Sequence, residues 1–236
     1  MQEDIAHWER IASDWIRWVR TPGHDAFWAY RPAFEALIGA GTGPALEIGA
    51  GEGRIARVLG SLGYAVTLVE PVRAFLTAAQ DSDSGVRYIQ APAHAIPLPD
   101  ASMPLVVLYN MLMDVDALAP AMAEAVRLLT PGGRLIIGII HPLADLLTTH
   151  RDTGSWTAGG RYFDDRAFEN ALVRDGLAMH FRGRARPLAA YTEALIGAGG
   201  TLQRLVEPEP AADDPWTQNS PWQGLPLFLW IEASKA

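Results

Sequence analysis

The chain has 236 residues, 49% of them hydrophobic, and a net charge of −8 from 27 acidic and 19 basic residues. That length and apolar content suffice for one large core, so a single domain over 1–236 is expected, and the negative balance argues against nucleic acid as a partner. With no cysteine in the chain, disulfides, thiolate zinc sites and cysteine-held iron–sulfur clusters are excluded.

The opening stretch, MQEDIAHWER, is charged where a signal peptide would be apolar, and no apolar run approaches bilayer-spanning length. A cytoplasmic protein with no membrane partner is expected. Residues 1–40 have helical periodicity: Trp8, Ile11, Trp15 and Trp18 recur at spacings of three and four, and after a break at Thr21-Pro22-Gly23 come Phe27, Tyr30 and Phe34. Ala45–Leu59, ALEIGAGEGRIARVL, then reads as strand, tight turn and helix, the helix burying Ile55, Leu59 and Leu62 and ending at Gly63. Gly49, Gly51 and Gly53 allow a sharp turn and close approach of the backbone to a ligand. Counted from Gly49, the dinucleotide fingerprint needs its third glycine where Arg54 stands, so a nicotinamide or flavin dinucleotide is the weaker reading.

Ala65–Val69 is a second apolar strand, closed by Glu70, an acid placed to accept hydrogen bonds from both hydroxyls of a ribose. A helix over 71–80 opens at Pro71, and Val86–Gln90 is the third strand. The loop Ala91–Asp100 contains Pro92, Ala93 and His94. Pro104 begins a fourth strand through Leu108, with Tyr109, Asn110 and Met111 at its carboxyl end, where ligands bind in open α/β sheets. Asp116 caps a helix over Ala117–Leu129, and the turn Leu128–Arg134 leads into a fifth, wholly apolar strand, Leu135–Ile140, ending at His141-Pro142. Regular alternation breaks over 143–187, which contains Trp156, Gly159-Gly160, Tyr162-Phe163 and His180-Phe181-Arg182. A helix through Tyr191, Leu195 and Ile196 stops at Gly197–Gly200. Thr201–Val206 is the sixth strand, 211–226 a loop and Leu227–Ala233 the seventh.

Several of these stretches resemble motifs of the class I S-adenosylmethionine (SAM)-dependent methyltransferases of small-molecule type. Glu47 with Gly49, Gly51 and Gly53 resembles motif I, Ala91–Asp100 the segment G-D-A-x-x-L-P-F-P-D, Leu128–Gly133 the turn L-x-P-G-G, and Arg186-Pro187-Leu188 opens a similar R-P-L…Y…L…AG…EP order. The resemblance covers about residue 45 to 236. It implies an α/β, Rossmann-like sheet of seven strands, mostly parallel with the last antiparallel, helices on both faces, a helical lid over 1–40 and an acceptor cap over 143–187. It also implies SAM as cofactor, bound by Glu47, Gly49, Gly51, Gly53 and Glu70; by its place at the end of the fourth strand, Asn110 or Tyr109 is expected to face the sulfonium and the acceptor. The family's adenine-contacting Asp falls on Pro92, which leaves Ala93 and His94 to meet the adenine. Trp15, Trp18, Tyr109, Trp156 and Tyr162 are the expected acceptor-binding residues.

Methyl transfer from a sulfonium is an in-line displacement, so the protein must hold the acceptor atom about 3 Å from the methyl carbon and, where needed, remove a proton. His141 is the first candidate base, since a neutral imidazole accepts a proton near pH 7; His180 and Asp114 follow. Arg182, Arg184 and Arg186 are candidates to pair with an anionic acceptor. No metal-binding spacing occurs among the histidines. The expected activity is methylation of an oxygen or nitrogen on a small, aromatic or polycyclic metabolite of natural-product biosynthesis, by a monomer or homodimer. The alternatives are a protein of this fold catalysing a non-methylating cyclisation or pericyclic step, and a non-catalytic SAM-binding module.

Overall fold

A computed structural model of the chain describes residues 2–82, 85–150, 155–218 and 220–235. Helices α1 (Gln2–Arg20) and α2 (Phe27–Ile38) lead into an alternating series: β1 (Pro44–Ile48), α3 (Arg54–Ser61), β2 (Ala65–Val69), α4 (Arg73–Ser82), β3 (Arg87–Ile89), β4 (Met103–Tyr109), α5 (Leu118–Leu128) and β5 (Leu129–Ile140). Two short ribbons follow, β6 (Leu147–His150) with β7 (Ser155–Ala158) and β8 (Arg166–Arg174) with β9 (Leu177–Ala185). The chain closes with α6 (Leu188–Gly197), β10 (Gly200–Val206), α7 (Pro215–Gln218) and β11 (Phe228–Lys235).

The central sheet has seven strands in the order β10-β11-β5-β4-β1-β2-β3. Its pairs are parallel except those of β11, which runs antiparallel to both β5 and β10. The expected mostly parallel sheet with a reversed last strand is thus present. Chain order reverses between β1 and β4, and at such a switch point the connections leave in opposite directions and open a crevice at the strands' carboxyl ends. Side chains alternate across β4. Val106 and Leu108 join α5 and α6 in one core, while Leu105, Val107 and Tyr109 join α2 and α3 in the other. Covered on both faces, β4 and β5 read as apolar runs.

Residues 1–40, expected as one helical lid, divide. In α2, Phe27, Tyr30, Phe34 and Ile38 are buried against β4, β5 and β11, so this helix is a layer of the core. Only α1 lies over the cavity, packing Ala12 against Val72 and Phe75 on one side and Trp18 and Val19 against Met179 on the other.

Two further local expectations are corrected. The N-cap of α5 is Ala117 and not Asp116, whose carbonyl instead accepts from Arg186 at 3.1 Å. The Pro131-Gly132-Gly133 turn lies within β5, where pairing with β4 jumps from Met103↔Leu129 to Leu105↔Arg134; exposed Pro104 sits at that irregularity, where its missing N–H costs no ladder bond. The 143–187 stretch is mostly antiparallel ribbon. Its longer hairpin turns through Asp175 and Gly176 at φ 49° and 78°, the left-handed pair that an Asp-Gly hairpin loop adopts. Among the described residues no helix is long and apolar enough to cross a membrane.

Trp230 is fully buried between the sheet and α2, its ring 5.4 Å from Phe34. Trp230→Ala is expected to cost about 3–5 kcal/mol, read as a lowered urea midpoint at unchanged slope.

Candidate active site at the switch point

The carboxyl ends of β1, β2, β4 and β5 open into a cavity of about 1490 Å³, roofed by α1 and the β8–β9 hairpin. Its floor is the glycine turn. The N–H groups of Gly49 and Ala50 donate to the Val69 carbonyl at 2.9 and 3.2 Å, joining the turn to the end of β2. Gly49 has φ 71°, and a Cβ there would stand 2.7 Å from Met111 Cβ. Gly51 has φ 56° and faces open cavity, with only Trp15 Nε1 near its missing Cβ, at 3.8 Å. Gly53, expected to meet the ligand, lies off the cavity wall, where a Cβ would face Ala79 and Leu68.

Two carboxylates close this end. Glu70, 4% exposed, accepts the Gly51 N–H at 2.8 Å and the Val72 N–H at 2.9 Å; burial outweighs these bonds and pushes its pKa up to about 7. A carboxylate offers about four acceptor positions, so two remain for a diol. Glu47, 2% exposed, is held well above the usual carboxylate range by burial, and its Oε2 has no hydrogen-bond partner. Across the cavity Asn110 is held at φ 50° with its buried Oδ1 likewise unpartnered. Buried acceptors are rarely left unmade, so these two atoms fit a donor group that the protein itself does not supply, such as the ammonium of SAM.

Pro92, Ala93 and His94 also line the cavity. Their loop is held from behind. Glu124 accepts the Ile96 N–H at 2.6 Å, while Arg127 donates to the carbonyls of Ile96 and Leu98 at 3.1 and 3.0 Å and pairs with Asp100.

On the acceptor side, Trp15, Trp18, Tyr109 and Asp114 line the cavity as expected. Trp156 and Tyr162 do not: Trp156 packs at a tilt against Trp222, centroids 4.6 Å apart, and it is Trp222 that reaches the wall, while the Tyr162 hydroxyl accepts the Leu188 N–H at 3.2 Å. Both candidate histidines are also misplaced for catalysis. His141 uses Nδ1 to accept the Leu143 N–H and Nε2 to meet Glu207, each at 3.0 Å, and is not on the wall. His180 is exposed because β9 turns its odd-numbered residues inward, burying Met179 and bringing Phe181 to the cavity. Of the arginine cluster, Arg186 is buried and donates to the Leu112, Val115 and Asp116 carbonyls, and Arg184 pairs with Asp165; Arg182 alone reaches the cavity.

Several wall residues carry no motif in the sequence. Arg54 is ion-paired with Asp25 at 2.8 Å and lies over the ring of Phe27, 4.8 Å from its centroid. Glu52, 2% exposed, pairs with Arg20 at 2.9 Å and Arg57 at 2.6 Å, tying the glycine turn to α1 and α3. Asp145, Arg166, Trp216 and Trp222 complete the acceptor side. The Glu-x-Gly pattern marks its own turn, whereas these residues meet only through long-range packing.

Switch point, glycine turn and paired acids define a Rossmann-like site for an adenosine-bearing ligand. Residues 46–137 match the family profile described as a methyltransferase domain. A ubiquinone/menaquinone biosynthesis C-methyltransferase, UbiE, from Vibrio cholerae is 31% identical over 120 residues, 44% of this chain and 46% of that protein. A malonyl-(acyl-carrier protein) O-methyltransferase from Enterobacter lignolyticus is 30% identical over 152 residues, 63% of this chain and 57% of that one. The chain thus spans about half the length of these relatives. Among solved structures, a SAM-dependent methyltransferase from Mesorhizobium loti superposes with TM-score 0.66 at 22% identity, over 89% of this chain and 98% of that one. The glycopeptide N-methyltransferase MtfA complexed with SAM superposes with TM-score 0.64 at 18% identity, over 88% and 93%. Residues 46–137 thus carry the profile of a methyltransferase domain, and the chain as a whole has the fold of SAM-dependent methyltransferases of known structure.

Gly49→Ala is expected to abolish calorimetric binding of S-adenosylhomocysteine, the demethylated product, because both φ and the Met111 contact oppose a side chain there. The hydroxyls of a bound ribose would donate to the ionised form of Glu70, whose pKa burial pushes up to about 7. Affinity for S-adenosylhomocysteine should therefore weaken as pH falls below 7, by up to about tenfold per unit, and Glu70→Gln should remove that dependence.

Proposed function

We propose that the protein transfers the methyl group of SAM to an oxygen or nitrogen of a small, aromatic or polycyclic molecule in the cytoplasm. The supporting observation is a single cavity with room for both halves of such a site. At about 1490 Å³ it exceeds the roughly 300–1,000 Å³ of a single-ligand pocket, leaving room for cofactor and acceptor together. The half floored by the glycine turn offers unspent acceptors on Glu47, Glu70 and Asn110; the other is walled by Trp15, Trp18, Phe168, Phe181, Trp216 and Trp222.

Bound SAM supplies a methyl group already activated on a positively charged sulfur. The protein's part is orientation and exclusion of water. The aromatic wall holds a flat acceptor, and α1 with the β8–β9 hairpin covers it. Named relatives methylate carbon or oxygen, yet the matched family region stops at residue 137, before the hairpin and the Trp216–Trp222 loop that wall the acceptor half. Acceptor choice lies in those segments.

Calorimetry on wild type and Glu70→Ala is expected to show SAM binding that weakens about tenfold or more, as for lost hydrogen bonds to a charged group. Incubation with SAM and a panel of phenols and aromatic amines should yield products heavier by one methylene. Absence of binding at millimolar SAM, or products of unchanged mass, would favour the non-methylating alternative.

A further inference from the structure

We propose that Asp145 is the general base of this site, its carboxylate taking the proton that the acceptor's hydroxyl or amine gives up as it is methylated. The role rests on the methyl-transfer reading above. Asp145 stands in the short turn Ala144–Leu146, directly beyond the carboxyl end of β5 and next in the sheet to β4, which carries Tyr109 and Asn110. It lines the cavity together with Ala144, Leu146 and Phe168.

The other acids on the wall are committed. Asp25 is paired with Arg54, Glu52 with Arg20 and Arg57, and Asp175 with His24 at 3.0 Å. Asp114 and Asp116 have partners of their own, and Glu47 and Glu70 belong to the cofactor half. No hydrogen-bond donor among the described residues reaches the Asp145 carboxylate. Arg166 of β8 is close enough to act on its charge, but its guanidinium donates to the Asp145 backbone carbonyl, at 2.5 Å. Arg166 is thus a positioning residue that holds the turn. From α6, Tyr191 also senses the Asp145 charge. Burial outweighs the arginine and pushes the Asp145 pKa up to about 7, so that the group is a stronger base than an exposed carboxylate yet partly ionised at neutral pH.

In the step, the acceptor's O–H or N–H bond breaks and its proton passes to an Asp145 oxygen, while a lone pair of the acceptor atom forms the new bond to the methyl carbon. The C–S bonding pair stays on sulfur, leaving neutral S-adenosylhomocysteine, and Asp145 returns its proton to water when product leaves.

The test compares wild type, Asp145→Asn and Asp145→Glu, each saturated with S-adenosylhomocysteine, using 4-nitrophenol as probe. Its ionisation is followed by visible absorbance across pH. S-adenosylhomocysteine affinity should agree within about twofold among the three, since Asp145 lies outside the cofactor half. In the wild-type and Glu complexes the bound probe's apparent pKa should lie about one unit or more above that in the Asn complex, because a neighbouring carboxylate disfavours the phenolate. With SAM and the phenol panel, kcat of Asp145→Asn should fall about a hundredfold or more, with the wild-type fall in rate below pH 7 removed. Equal probe pKa values in the wild-type and Asn complexes overturn the role. Failure of wild type to bind S-adenosylhomocysteine rejects methyl transfer itself, a different outcome from failure of the base.

Discussion

Glu70 is the fastening on which the site depends. Its carboxylate joins the glycine turn after β1 to the start of the segment after β2, through the N–H groups of Gly51 and Val72. Without an acceptor there, a turn of left-handed glycines would leave donors unmade in a buried place. The fastening has a cost that depends on pH. The folded-state pKa of about 7 lies above the ordinary 4.5, so between these values the native state binds more protons than the unfolded chain. Stability from this group is therefore full below about pH 4.5 and lost as pH rises through about 7. Asp145, raised from 3.8 to about 7, acts with the same sign. Each is a desolvated acid whose ionised form would gain from a hydrogen-bond donor on a bound ligand.

A second set of contacts ties the roof of the cavity to its floor. Glu52, set between two glycines of the turn, reaches Arg20 at the end of α1. Just beyond, His24 meets Asp175 at the hairpin tip, and Arg174 donates to the Gly23 and His24 carbonyls at 2.7 and 2.8 Å. The aromatic stripe of α1 is shared between neighbours: Trp8 packs near Phe75 of α4, and Trp15 and Trp18 meet Phe181 of β9 edge-on. Floor and roof are one bonded unit, so a change at the hairpin tip acts on the glycine turn through α1.

The cofactor half was the legible part. Glu47, Gly49, Gly51, Glu70 and Asn110 all occupy strand ends or the tight turn, where backbone direction follows from a few neighbouring residues, and all reach the cavity. The acceptor half was legible only in outline. His141 had the right address, after β5, but Leu143 and Glu207 turn its ring away; Asp145, four residues on, takes the place expected of it. His180 failed by one residue, because strand parity decides which side chain faces in, and the register was readable only from the unused Asp175-Gly176 hairpin signal. Trp156 and Tyr162 lie in the expected segment, but one covers Trp222 and the other caps the approach to α6.

By itself, the amino-acid sequence determined the alternating α/β order, the parallel apolar strands, the glycine turn and the acids beside it, because period-two and period-3.6 patterning and left-handed glycines act over a few residues. Only the tertiary structure decided which side chains from 1–38 and 143–222 face the cavity. Their positions depend on contacts between segments more than a hundred residues apart, such as His24 with Asp175, and on burial that moves Asp145 toward neutral pH. Neither distance nor desolvation is encoded in a local pattern, and each appears only when the chain has closed on itself.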